Sequence, residues 1–336
     1  MKRDDMILKA AIVHILDSSV GIPVLSDRQM DVGPDFSDFL KAHIEKITES
    51  DDIKHCRFSD TSDTKALLEN CTPDNFVETS KQLAEKLYDI MNENIDIPAA
   101  DIAVVVFSCQ GCDYLAFLKM NYKTSYTHAT RELEGQNSNE IILQRALLPA
   151  QGQRLSEAFV VNLSDGSIFL TEKKYEVNGE KRFYFSEMFL ECHAPLSQKS
   201  KLDIVTKAVE QVAKKYYGEE DAEKKMEIKN IICTELEEEG ELKVASLREK
   251  VFPDSPEMLS ALDEKLDKYN MAYETVQPKN EQTIKKFQKQ HLTTDTGIEI
   301  TIPMEEYRNP DHVEFITNLD GTISVLIKNI GVLSSK

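Results

Sequence analysis

No apolar stretch in this chain approaches the roughly 20 residues needed to cross a bilayer; the longest uninterrupted run is Ile102–Phe107. The start of the chain does not read as a secretory leader. Asp4 and Asp5 stand beside Lys2 and Arg3, and the apolar segment that follows is broken by His14 and stopped by Asp17. Cysteine is sparse: the six, at positions 56, 71, 109, 112, 192 and 233, are spread through apolar patterns and predict reduced thiols in a cytoplasmic protein, not a disulfide framework. Positive charge is in deficit too, with 40 Lys and Arg against 59 Asp and Glu and a net charge of −19. A protein that coats DNA draws most of its non-specific affinity from basic groups that displace counterions. This composition excludes general coating and leaves nucleic-acid contact to a local patch or to a partner.

Catalytic signatures are missing as well. There is no Walker-type phosphate loop, Rossmann glycine fingerprint, nucleophile elbow or paired-histidine zinc helix. Cys109-Gln-Gly-Cys112 is the one motif with catalytic potential. Redox chemistry needs such a pair to open a helix, whose N-terminus lowers a thiol pKa. Here Tyr114, Ala116, Leu118 and Met120 follow with the two-residue period of a strand, so both cysteines are expected to be structural thiols at a turn. Cys192 and His193 could join them in a zinc site only through long-range folding, and the spacing does not support it. The seven histidines are scattered without an acid that would place one in a triad, and His14 on an apolar strand reads as a core residue. The expectation is no catalytic residue, no cofactor and no metal.

What is present is an ordinary globular composition, 41% hydrophobic and 29% charged, in 336 residues, enough for two domains. Charge is uneven: residues 31–101 hold 7 basic against 17 acidic groups and residues 216–271 hold 8 against 16, flanking a near-neutral middle. Met6–Leu16 and Ile22–Leu25 read as strands around a turn at Ser18–Gly21. Phe36–Ile47 and Pro73–Asn94 have helical periodicity, with Asp35 as cap of the first and Pro73 in the first turn of the second. Ile102–Cys109 and Asp113–Tyr122 read as strands joined by a tight turn at Gln110–Gly111. Further strands follow at Glu140–Leu148, Leu155–Leu163, Ser167–Val177 and Lys181–Phe185, with hairpin signals at Asp165–Gly166 and Asn178–Gly179. Near His193–Ser200 the pattern turns helical, over Leu202–Tyr217, Ala222–Glu238, Val244–Val251 and Pro256–Met271. Strands return at Gly297–Ile302, Val313–Thr317 and Thr322–Ile327, the last two around Asp320–Gly321. The reading is α+β: residues 1–195 form an N-terminal antiparallel sheet with flanking helices, and 196–336 a helical module closed by a short C-terminal β segment.

Two segments invite a nucleic-acid reading. The helices within Ala222–Met271 suggest a helix-turn-helix, but the third holds Glu257, Asp263, Glu264 and Asp267 against Lys265 and Lys268. Phosphate would repel it, so docking to a protein suits it better. The tract Tyr114–Arg131, YLAFLKMNYKTSYTHATR, interleaves Lys119, Lys123, His128 and Arg131 with Tyr122 and Tyr126. Cationic groups and aromatic faces are what grips a phosphate backbone or a polar partner. These six residues are the candidate contact, weighed against a plain reading as a half-buried strand with a solvated lysine pair.

The order of segments resembles the bacterial nucleoid-associated protein family of the NdpA type. It is carried by AIVHIL in the first strand, DYLAFLKM, the strand–turn–strand ending in RFYFSEMF, and the closing GIEITIPMEEY…VEFITNLDGTISVLIKNI with its Leu-Asp-Gly-Thr hairpin. The resemblance implies a cytoplasmic protein at the bacterial nucleoid, often linked to type II topoisomerase function, and it transfers no catalytic residues. The expected partners are nucleoid DNA, met directly or indirectly, and topoisomerase subunits; no membrane is expected, and a homodimer is compatible with the sequence. The favoured function is a non-enzymatic nucleoid-associated protein. The alternative is a nucleic-acid- or nucleotide-processing enzyme with an unrecognised carboxylate or cysteine site.

Overall fold

The computed structural model describes residues 1–18, 21–133, 135–218 and 222–334. The chain divides into two compact units, Met1–Leu196 and Ser197–Lys336. The first contains β1 (Met6–Leu16), α1 (Pro34–Thr48), β2 (Lys54–Phe58), α2 (Asp63–Glu69), α3 (Phe76–Glu93), β3 (Ala100–Cys109), β4 (Cys112–Asn121), β5 (Lys123–Leu133) and β6 (Gln136–Leu147). After these come β7 (Glu157–Asn162), β8 (Ser167–Thr171), β9 (Tyr175–Val177), β10 (Glu180–Arg182), a π-helical segment Phe185–Leu190, and β11 (Cys192–His193).

Seven of these strands form one sheet in the order β1-β3-β4-β7-β8-β2-β11, and every pairing is antiparallel. Both faces are covered. Ile102, Val104, Leu115, Phe117, Phe159, Val161, Ile168 and Leu170 pack under α2, α3 and the π-helical segment. Ala103, Val105, Phe107, Ala116, Leu118, Met120, Ala158 and Val160 pack under α1. That explains the unbroken run Ile102–Phe107: a strand buried on both sides has no polar face to alternate with. Phe117 and Phe159 stack with centroids 5.3 Å apart, and Phe189 lies 5.2 Å from Phe117. β3 and β4 close through a two-residue turn, with Gln110 at φ 51° and Gly111 at φ 81°, as the hairpin reading expects.

Several local expectations change. α1 begins at Pro34 behind Gly33, with Pro34 in its first turn, so Asp35 lies inside the helix and is not its cap. α3 begins at Phe76, not Pro73: Asn75 Oδ1 accepts from Thr72 N at 2.6 Å and folds Pro73 into the preceding turn. Of the turn read at Ser18–Gly21, Ser19 and Val20 lie outside the described residues. Within Ile22–Leu25 only the bridge Ile15–Val24 is made. The Ser167–Val177 segment breaks after Thr171, where Glu172 turns inward to meet Lys54 at 2.8 Å and Ser186 N at 3.0 Å. Neither β2 nor α2 is apparent from periodicity; both are short.

The second unit contains α4 (Gln198–Tyr217), α5 (Ala222–Glu238), β12 (Leu242–Lys243), α6 (Val244–Val251), α7 (Pro256–Asp267), β13 (Thr275–Val276) and α8 (Glu281–Lys285). It ends with β14 (Lys289–Thr293), β15 (Glu299–Pro303), α9 (Met304–Tyr307), β16 (Val313–Thr317) and β17 (Ile323–Ile327). Ser197 caps α4, its side chain accepting from Ser200 N. Val205, Val209 and Val212 of α4, Ile232 and Leu236 of α5, Leu247 of α6 and Leu262 and Leu266 of α7 share one core. β12 pairs with β13, and β14–β15 and β16–β17 are two hairpins. The architecture is α+β, with an N-terminal antiparallel sheet, a helical region and short C-terminal strands. No helix among the described residues is long and apolar enough to cross a membrane.

Candidate nucleic-acid interface

The basic–aromatic tract is divided between two environments. Its first half is β4, a central strand, and its second half is β5, which leaves the sheet and pairs with β6. Tyr122 sits at the junction.

On β4, Lys119 follows Leu115 and Phe117 on the same side of the strand and is 0% exposed. Its Nζ donates to Glu157 Oε2 at 3.0 Å and to Asn121 Oδ1 at 2.6 Å. Glu157, also fully buried, accepts from Asn121 Nδ2 at 3.1 Å, from Tyr175 OH at 3.0 Å and from Tyr184 OH. Burial pulls the Lys119 amine towards its neutral form, and the Glu157 charge opposes this. Burial and the same carboxylate push both tyrosine pKa values up, so the hydroxyls stay protonated donors. This is a satisfied interior network, closed to any phosphate. Tyr122 is half-buried, its OH donating to Asp101 Oδ1 at 2.6 Å; burial and that bond raise its pKa. Lys119 and Tyr122 are therefore fold-forming groups, although Lys119 and Asn121 do share a face as the strand period requires.

The other four residues lie on the ribbon. β5 and β6 form a two-stranded sheet of their own, about 35 Å long at the usual rise per residue. Its sequence explains why it leaves the body: Thr124, Thr127 and Thr130 favour extension, and with Ser125, Asn137, Ser138, Asn139 and Gln144 they are polar and supply no core face. Opposed residues share a face. Tyr126 faces Leu143 and His128 faces Ile141 on one side; Thr127 faces Ile142, Ala129 faces Glu140 and Arg131 faces Ser138 on the other. Lys123 and His128 are exposed, and Tyr126 is 73% exposed. Arg131 Nε lies 3.5 Å from Glu140 in an exposed pair, the kind that costs little to exchange for another anion.

Sequence reasoning missed Arg145, exposed on β6, because β6 was not recognised as the partner of β5. The signal was there in two adjacent polar segments of β-forming residues with Gly135 between them, at φ 75°. It also missed the apolar surface of the ribbon, where Ile141 is 71% exposed and Leu143 is exposed.

The alternative chemistries find no assembled site in this region. Cys109 and Cys112 are opposed across the hairpin turn, at the end of two strands and not at the start of a helix. Burial raises the Cys109 pKa, the reverse of activation. His14 accepts from Ser26 N at Nδ1 (3.1 Å), so its Nε2 carries the proton and donates to Ser80 Oγ at 3.0 Å. Among the described residues no group of three or more His, Cys, Asp or Glu side chains is arranged to hold a metal ion. In the second unit α7 presents Met258, Leu262 and Leu266 to the core, and its Lys265 donates to Gln211 of α4 at 2.8 Å.

No curated protein matches the chain. The family model described as nucleoid-associated protein YejK matches residues 12–332, nearly the whole length and both units. The chain belongs to this family of nucleoid-associated proteins.

Proposed function

We propose that the protein is a non-enzymatic, cytoplasmic nucleoid-associated protein that touches duplex DNA through the β5–β6 ribbon. The observation that supports this reading is the ribbon itself: a long exposed two-stranded arm of near-neutral charge in a strongly acidic chain. A major groove about 12 Å wide admits a two-stranded ribbon. Lys123, His128, Arg131 and Arg145 supply the phosphate contacts, and Tyr126 packs against sugar or base edges. Four or fewer contacts give weak binding with a shallow salt dependence, about −0.9 per phosphate neutralised. That suits local engagement and agrees with the charge argument against coating.

A second reading is favoured by one observation, the exposed Tyr126, Ile141 and Leu143 on a single ribbon face. An isolated two-stranded hairpin is marginally stable in water, and a protein surface that covered this face would support it. The partner is then a topoisomerase subunit or a second copy of the chain, and the nucleoid is reached indirectly.

Affinity capture of the tagged protein from lysate, with and without nuclease, tests the two. Direct contact predicts that DNA and co-captured proteins are lost together on digestion. A partner that survives digestion and is lost in Tyr126→Ser/Ile141→Ser establishes recruitment instead.

A further inference from the structure

The second unit contains the helix-turn-helix that the sequence suggested, and the DNA contact proposed for the ribbon does not use it. α6 and α7 are joined by a short turn, residues 252–255, and Arg248 of α6 meets Asp263 of α7 at 2.6 Å. Ile232 and Leu236 of α5, Leu247 of α6 and Leu262 and Leu266 of α7 close one core. β12, which leads into α6, pairs with β13, which follows α7, in the register Leu242–Val276 and Lys243–Thr275. α7 is held by its apolar stripe, Met258, Leu262 and Leu266. Its opposite stripe is left to solvent, the face that such a helix lays in a major groove.

The chemistry of that face is unsuited to phosphate. Glu257, Ser260, Glu264 and Asp267 recur along it at helical spacing, all exposed, and Asp254 in the preceding turn extends the row. Neighbouring carboxylates that serve the fold are paired: Asp263 with Arg248, Glu274 with Lys201 and Glu235 with Lys250. Asp254, Glu257, Glu264 and Asp267 meet no such cation among the described residues. Of the lysines on this segment, Lys268 shares the exposed face, while Lys265 turns to Gln211 of α4 at 2.8 Å. Two aromatic rings follow at the end of the helix. Tyr269 is 56% exposed and Tyr273 is 86% exposed, although Met271 between them is buried. Tyrosine is enriched where proteins meet, and its ring packs against guanidinium groups and lysine stems.

We propose that this helix-turn-helix docks on protein, and that its partner is a lysine- and arginine-rich surface of the kind that otherwise holds a phosphate backbone. The four carboxylates pair with the partner's cations, and Tyr269 and Tyr273 lie against its charged side chains. Charge complementarity selects that occupant. DNA repeats the sign of the face, and so does a second copy of this chain, at net charge −19. The contact belongs to the second unit and the ribbon to the first, so it stands whether or not the ribbon meets DNA.

Fluorescence anisotropy of the full-length protein tests this with a short labelled peptide of alternating arginine and alanine at low salt. Glu257→Gln/Glu264→Gln/Asp267→Asn should weaken peptide binding at least about tenfold, since three modest exposed ion pairs are lost together. Glu78→Gln/Glu85→Gln/Asp89→Asn removes the same charge from the exposed face of α3 and should change binding less than about twofold. Circular dichroism confirms that each variant is folded. Tyr269→Ser/Tyr273→Ser should weaken binding by a factor that persists as salt is raised, because ring contacts are not screened as charges are. A photo-crosslinking residue, Ser260→p-benzoylphenylalanine, at the centre of the α7 face should label the peptide when peptide and duplex DNA are both present. Four results overturn the proposal: no peptide binding at low salt, unchanged binding in the folded α7 variant, an equal loss in the α3 variant, or cross-links from position 260 to DNA or to a second copy of the chain in place of the peptide.

Discussion

Replacing Lys119 with methionine removes the fully buried cation that faces the buried carboxylate of Glu157. The methionine fills similar space, so the cost comes from charge and not from a cavity. Breaking a buried pair by removing one partner costs about 3–5 kcal/mol, because the survivor stays buried. Glu157 retains donors from Asn121, Tyr175 and Tyr184, which places the expected loss near the lower end, about 3 kcal/mol. In Lys119→Met/Glu157→Gln no charge is buried, and the amide oxygen still accepts from the tyrosines. The double variant should therefore be more stable than the sum of the single losses, by roughly 1–3 kcal/mol of coupling. Hydrogen exchange read by mass spectrometry on peptides covering β4 and β7 measures the opening free energy of the N-terminal unit without assuming that both units unfold together. A loss below about 1 kcal/mol in Lys119→Met, or strict additivity in the double variant, would refute the interior-network reasoning. It would also return Lys119 to the list of surface cations.

Three further outcomes are expected. Burial first, and the nearby Lys81 charge second, lower the His14 pKa to about 4; because the folded value lies below the unfolded one, its stabilisation is complete above about pH 6.5 and fades towards pH 4. Nitrogen NMR should show the neutral Nε2–H form still dominant at pH 5.5, and a midpoint near 6.5 would contradict the buried assignment. Replacing Cys109 and Cys112 with serine should cost no more than about 1–2 kcal/mol, for hydrogen-bonding capacity added at the buried Cys109, and should leave DNA binding intact; stoichiometric zinc in the wild type, lost in the variant, would reverse this. Residues 1–196 and 197–336, expressed separately, should each fold, with circular dichroism spectra that sum to that of the whole chain, and an unfolded half would argue against two independent modules.

The architecture was legible where local chemistry and long-range packing agree. Gln110–Gly111 and Asn178–Gly179 specify tight turns through positive φ, and the helices from Leu202 onward carry an apolar stripe that the core uses. The α+β class followed from such elements. The site was legible only in part, because the tract was read as a strand with one apolar face. Leu115 and Phe117 are as apolar as Leu118 and Met120, which marks β4 as covered on both sides. A lysine at the next position of a doubly covered strand needs an interior carboxylate, and Glu157 is 38 residues away in the chain. No spacing rule finds such a partner; strand pairing does. A strand was read at Glu140–Leu148, but β5 and its pairing with β6 escaped notice for the opposite reason: the ribbon buries too little to show periodicity, and its register comes from pairing alone. Tyr126 and His128 thus share one face while Arg131 lies on the other, a division that composition cannot show.

The central proposal is that the protein contacts duplex DNA directly and does so through the ribbon. Fluorescence anisotropy with a duplex over a salt series measures it most directly, comparing wild type with Lys123→Ala/Arg131→Ala/Arg145→Ala and confirming the fold by circular dichroism. The account predicts weak wild-type binding with a slope of log K against log salt no steeper than about −4, falling by about 2–3 in magnitude in the variant. An unchanged slope in the folded variant, or no wild-type binding at low salt, would contradict it.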